Sequence, residues 1–226
     1  MHPTFKQPPP HRPEPLSLLL RQWGVPPASP APPAERLGSL LGWADAIGLS
    51  QTMATAPSGA ISKTERLEAI LWAQAALQTL QASLTSGFDA PELPADSLQS
   101  PDGPLLPEML APFLQHFSQQ QRVIVSRIAS LRDHLRSRLL RASDELARVA
   151  ELDLYIERAL SDTERRSLAG LAELLEKRAL KHHSTDPRRW RSPLISDMQR
   201  LLRADLDQRL QPVLGLIEAL SASKSP

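Results

Sequence analysis

Apolar residues recur at the spacing of a helical turn through most of this chain, and polar and charged residues fill the positions between them. From Ala34 to about Thr52, Leu37, Leu40, Leu41, Ala44 and Ile47 share one face, as an amphipathic helix requires. Glu35, Ser39 and Ser50 lie opposite, with Asp45 on the flank. A second stripe of Leu67, Ile70, Leu71, Ala73, Leu77, Leu80 and Leu84 predicts a helix to about Thr85, broad enough to pack on two neighbours. Gln74 and Gln78 stand beside Leu67 and Leu71, so that edge is expected to be half-buried. Ser62 and Glu65 form the S-x-x-E arrangement that satisfies two orphan amides at a helix start.

The longest pattern begins at Phe113. Leu114, Phe117, Gln121, Ile124, Ile128, Leu131 and Leu135 alternate steps of three and four, a coiled-coil-like seam. Arg122, Arg127, Arg132, Arg136, Arg138 and Arg141 are expected to keep the other faces wet. Ser143 with Asp144 and Glu145 suits a helix N-terminus and predicts a tight break near residue 142, the alternative being one rod to Leu160. Ser161 and Glu164 repeat the capping arrangement and predict a new helix to about His182. Ser192-Pro193 then opens a last helix to about Leu220, which Pro212 is expected to kink or divide.

Proline sharpens this division. Eighteen of the 22 prolines lie at or before Pro112, and none occurs from Phe113 to Asp186. Proline removes a donor and clashes with the preceding turn, so its absence lets long helices propagate. Residues 1–33 read as a Pro-rich tail with one short helix from Pro15 to Trp23, and residues 86–112 as a Pro-rich loop. Residues 34–221 form one helical domain, and 222–226 a second tail. Forty leucines against 13 isoleucines and valines combined disfavour strands. The fold class is therefore all-α, a bundle of five to seven helices with a long antiparallel helical pair in the C-terminal half.

Charge and composition narrow the chemistry. Residues 1–112 hold 6 Lys or Arg against 10 Asp or Glu, and the remainder 20 against 15, so an acidic front precedes a basic back. With no cysteine, thiol catalysis and cysteine metal sites are excluded. The apolar run Leu16 to Leu20 is too short for a secretory signal. Leu67 to Leu84 is interrupted by Glu68, Gln74, Gln78 and Gln81, whereas a membrane-spanning helix needs about 20 apolar residues. A cytoplasmic protein is expected.

Few residues invite a chemical reading. The run from Gly59 to Thr64 has a fragment of a phosphate-binding loop, but Ser62 stands where glycine should precede Lys63, and the helix cap accounts for it. His182 and His183 diverge by about 100° on a helix, which favours surface histidines at a fraying end over a metal site with Asp186. Asp153 and Glu157 share a helical face but lack a Lys or Arg three or four residues away, and read as solvated charge. Trp43 reads as core. No serine sits in a G-x-S-x-G elbow. No catalytic residue, cofactor or metal ligand is therefore assigned.

The candidate interaction surface is Lys177, Arg178, Lys181, His182, His183, Arg188, Arg189, Trp190 and Arg191, with Asp186 its single acid. Six permanent cations and an indole suit an anionic partner. The competing reading gives the first cations to a helix C-terminus and Trp190 to the core.

The segments LGWADAIGLS (41–50), ARVAELDLYIERAL (147–160) and DMQRLLRADLDQRLQPVLGLIEAL (197–220) resemble an uncharacterised proteobacterial family, a domain of unknown function, over residues 34–221. The resemblance implies no catalytic residues. It implies a gene neighbourhood that holds genes for a proton-channel protein of the flagellar-stator and TolQ type and for an OmpA-like protein. The chain is thus expected to be a non-enzymatic helical adaptor or structural component with a protein partner, the alternative being a nucleic-acid-binding regulator using residues 177–191. The seam from Phe117 to Leu135 fits packing within one chain or in a homodimer.

Overall fold

The computed structural model describes residues 14–26, 62–89 and 104–222, except for the side chains of residues 162–169. The helix expected over 34–52, with Trp43 and Asp45, the phosphate-loop fragment before Ser62 and most of the tails and the 86–112 loop lie outside the described residues. Within them there are five helices and no strand: α1 (Leu16–Gln22), α2 (Lys63–Thr85), α3 (Pro107–Ala142), α4 (Asp144–Thr185) and α5 (Arg191–Ala222). The fold is all-α. No described helix is long and apolar enough to cross a membrane.

Helices α3, α4 and α5 pack against one another, α2 lies on α3 and α5, and α1 on α5. Contacts fix the directions. Phe113 meets Trp190, while Gln121 lies beside Asp205, so α3 and α5 run parallel. Arg132 bonds Asp153, and Arg178 bonds Asp197, so α4 runs antiparallel to both. Trp72 lies 3.9 Å beneath the Arg138 guanidinium, and Ser83 accepts from Arg127, which makes α2 antiparallel to α3. The seam of α3 is buried from Phe117 to Leu135 within the single chain, with Leu114 half-buried and Phe113 taking the deeper place.

The expected cap at α2 forms completely. Ser62 Oγ accepts from the Glu65 amide at 3.2 Å, and the Ser62 amide donates back to Glu65 at 3.3 Å. The Ser62 hydroxyl and then its amide hold the Glu65 carboxyl below its ordinary range. The Ser143 junction also forms: this one extended residue separates α3 from α4, and its hydroxyl accepts from the Leu146 amide at 3.3 Å. The chain therefore breaks at 143 and is not a single rod.

Four expectations about the elements are corrected. Helix α3 starts at Pro107, inside the stretch read as loop. Proline at the first helical position has no useful donor to lose, and burial of Leu110 and Phe113 offsets the backbone bond that Pro112 removes. Helix α4 runs unbroken through Ser161, whose hydroxyl donates to the Arg158 carbonyl at 2.9 Å instead of capping a new helix. Helix α5 continues through Pro212 to Ala222, so of the two outcomes expected there, a kink or a division, the division does not occur. On α2, the buried positions are Ala69, Ala73, Leu77 and Leu84, and Leu67 and Leu71 are each 57% exposed. The packed stripe is narrower than the apolar one.

The arginines of α3 are the larger correction. Arg132 and Arg136 are buried, not wet, and face Asp153 and Glu157, which are accordingly not solvated charge. Arg132 donates to Asp153 at 2.7 Å and to Glu157 at 3.2 Å; Arg136 donates to Glu157 at 2.6 Å and approaches Asp153 at 3.5 Å. The cations that neutralise this acidic pair come from the neighbouring helix. Two i, i+4 pairs of opposite sign thus close the α3–α4 hairpin.

Candidate functional site

The basic cluster spans the last turns of α4, a turn at Asp186–Trp190 and the start of α5. Pro187 disfavours helix at the residue before it, and α4 ends at Thr185. Asp186 then shapes the reversal: its Oδ1 accepts from the amides of Arg188 at 3.0 Å and Arg189 at 3.2 Å, and its carbonyl also accepts from Arg189 at 3.2 Å. The single acid of the cluster is a turn former.

Behind the turn lies an aromatic anchor. Trp190 is fully buried, edge-on to Phe113 at 5.6 Å and to His183 at 6.2 Å between ring centroids. Arg191 lies over the indole at 5.3 Å. Trp190 Nε1 and His183 Nε2 are both buried and have no hydrogen-bond partner. The shape of the site is therefore set by apolar packing, against some polar desolvation.

A second anchor centres on Asp197 of α5, a buried carboxylate. Arg178 Nε donates to Asp197 Oδ2 at 2.7 Å, and His182 Nε2 lies 2.7 Å from the same oxygen. A carboxylate only accepts, so the His182 nitrogen facing it carries the proton. The Arg178 guanidinium also covers the Trp23 ring at 5.0 Å, which ties the turn after α1 to the hairpin. Arg200, next along α5, donates to both carboxylate oxygens of Glu14 at 3.0 and 3.1 Å.

The nine candidate residues thus separate. Arg178, His182, His183 and Trp190 face inward and hold the hairpin, and Arg191 is half-buried against the indole. Lys177, Lys181, Arg188 and Arg189 are exposed. The expectation that both histidines sit at a fraying surface end is corrected: His182 is tied to Asp197 and His183 is buried. The carboxylate that recruits Arg178 and His182 lies on the next helix, and a reading of local spacing along α4 does not reach it.

No curated protein and no solved structure matches the chain. The family match spans residues 18–222, beginning within α1 and so earlier than the resemblance at residue 34. The chain belongs to the family described as Protein of unknown function (DUF3348).

Proposed function

We propose that the protein is a non-enzymatic helical adaptor that presents the basic end of the α4–α5 hairpin to an acidic surface of a partner protein. One observation supports this reading most directly. Trp190 and Asp197 fix the hairpin from within, while Lys181, Arg188 and Arg189 are exposed around its turn. Cations on a pre-formed support meet an anionic partner with little ordering cost. The family resemblance suggests the setting, a proton-channel-linked envelope system reached from the cytoplasm.

The same cations also suit a nucleic-acid phosphate backbone, and a regulator of that kind is the alternative. Affinity purification of the full chain from its native cell, with and without nuclease, separates the two. A protein partner that survives nuclease and dissociates as salt is raised supports the adaptor. Capture of nucleic acid, with partners lost after nuclease, contradicts it.

A further inference from the structure

Helix α1 sits on the bundle as a bound peptide would. It is complete in itself: the Pro15 carbonyl accepts from the Leu18 and Leu19 amides at 2.9 and 3.1 Å, and Gly24, at φ 84°, closes the other end. There the amides of Gly24 and Val25 return to the carbonyls of Arg21 and Leu20 at 3.0 Å each, the paired bonds of a glycine-terminated helix. Its inward side chains are Leu16, Leu19, Leu20 and Trp23; Leu19 is fully buried and the others are half-buried against the core. Those positions are i, i+3, i+4 and i+7, the spacing by which an amphipathic helix anchors in a groove.

Two cations hold the ends of α1. Arg200 of α5 takes the Glu14 carboxylate, and its Nη2 also donates to Gln22 Oε1 at 3.1 Å. Arg178 of α4 covers Trp23, the last anchor, at 5.0 Å. The groove therefore reads a carboxylate, leucines and an aromatic ring in that order. Its tie to Glu14 is weak, because the Arg200 and Glu14 side chains are 38% and 30% exposed and an ion pair so open to water contributes little. One flank of α1 meets space instead of atoms: Leu16, Leu20 and Val25 border a cleft of about 770 Å³ that reaches α3, α4 and α5. Asp205 lines the α5 side of that cleft, and burial raises its carboxyl above the ordinary range against the pull of Arg209 and Gln121. Arg209 Nε already donates to it at 3.0 Å, so the charge contacts of α1 are those to Arg178 and Arg200. With one fully buried side chain, α1 belongs among the elements that open locally at far less cost than the whole fold.

We propose that α1 is a displaceable internal ligand, and that the groove beneath it is a docking site for an amphipathic helix of a partner protein carrying the same anchors: a carboxylate, leucines at steps of three and four, and a terminal aromatic ring. The seated segment states what the groove accepts. A partner gains access only while α1 is undocked, so its apparent affinity is reduced by the undocked fraction. The site does not use Lys181, Arg188 or Arg189 and stands apart from the adaptor surface.

The test is fluorescence anisotropy with a labelled peptide of residues 14–26, titrated with the full chain as wild type and as two variants that release α1, Leu19→Asp and the double change Glu14→Lys with Trp23→Ala. Circular dichroism confirms that each variant is folded. Saturable binding to a folded released variant is expected, with wild type weaker by about tenfold or more because its groove is occupied. A peptide with Ala at the exposed positions Ser17, Leu18 and Arg21 should bind within about threefold of the parent, and one with Leu19→Asp should not bind. No saturable binding to either released variant, equal affinity for wild type and released chains, or undiminished binding of the Leu19→Asp peptide overturns the proposal. Sedimentation of the wild-type chain as a dimer that Leu19→Asp dissociates would also overturn it, giving the groove to α1 of a second copy.

Discussion

Arg132 grips Asp153 with two nitrogens, Nη2 on Oδ1 at 2.7 Å and Nε on Oδ2 at 3.3 Å, and the two side chains are only 8% and 10% exposed. A buried pair of this kind is costly to break from one side, because the remaining charge loses its partner in a poorly solvated place. Arg132→Met should therefore destabilise the protein by on the order of 3 kcal/mol, moderated because Arg136 stays near Asp153. Arg132→Met with Asp153→Leu should recover part of that loss. Denaturant unfolding of the two single variants and the double variant measures the coupling.

The Trp190 anchor makes a contrasting pair of predictions. Trp190→Ala removes a fully buried ring and should cost about 3–5 kcal/mol. His183→Phe keeps an aromatic ring against the indole and removes an unpartnered buried nitrogen. Its stability should stay within about 1 kcal/mol of wild type or exceed it. Thermal unfolding of both variants reads the difference.

Asp205 gives the protein a specific pH dependence. Its folded-state pKa is raised, so between the ordinary value of 3.8 and that higher value the folded protein holds more proton than the unfolded chain. Stability from this group therefore falls as pH rises through that window. The stability of wild type relative to Asp205→Asn should accordingly be greatest below pH 3.8 and decline as pH rises through the raised folded-state value, as measured by denaturant unfolding at a series of pH values. A difference that is flat or grows with pH contradicts the assignment.

At the start of α2, Ser62→Ala removes the acceptor for the Glu65 amide and the donor to its carboxylate. A loss of about 1 kcal/mol is expected. Hydrogen exchange should show it as faster opening of the first turn of α2.

How much of this was legible depended on the range of the interaction. Caps at Ser62 and Ser143 and the α3 seam are set by residues within one or two turns, and sequence spacing predicts them. Failures occurred where a partner comes from another helix. Arg132 and Arg136 look like a wet face until α4 brings Asp153 and Glu157 against them, and His182 looks loose until α5 brings Asp197. Ser161 carries the right residues for a cap, but no breaker accompanies it and the α4 helix continues. In the candidate surface, spacing located the cations of residues 177–191 but could not separate inward from outward ones. The cleft around Asp205 assembles from four helices and leaves no local sequence pattern.

The adaptor reading depends most directly on the exposed cations of the α4–α5 turn. Lys181→Glu with Arg189→Glu changes exposed positions and should alter stability by no more than about 0.5 kcal/mol. The deciding measurement is quantitative affinity purification of wild type and this double variant after nuclease treatment. The account predicts an acidic partner protein retained by wild type and lost by the folded variant. Recovery of the same partners in the same amounts by both would contradict it.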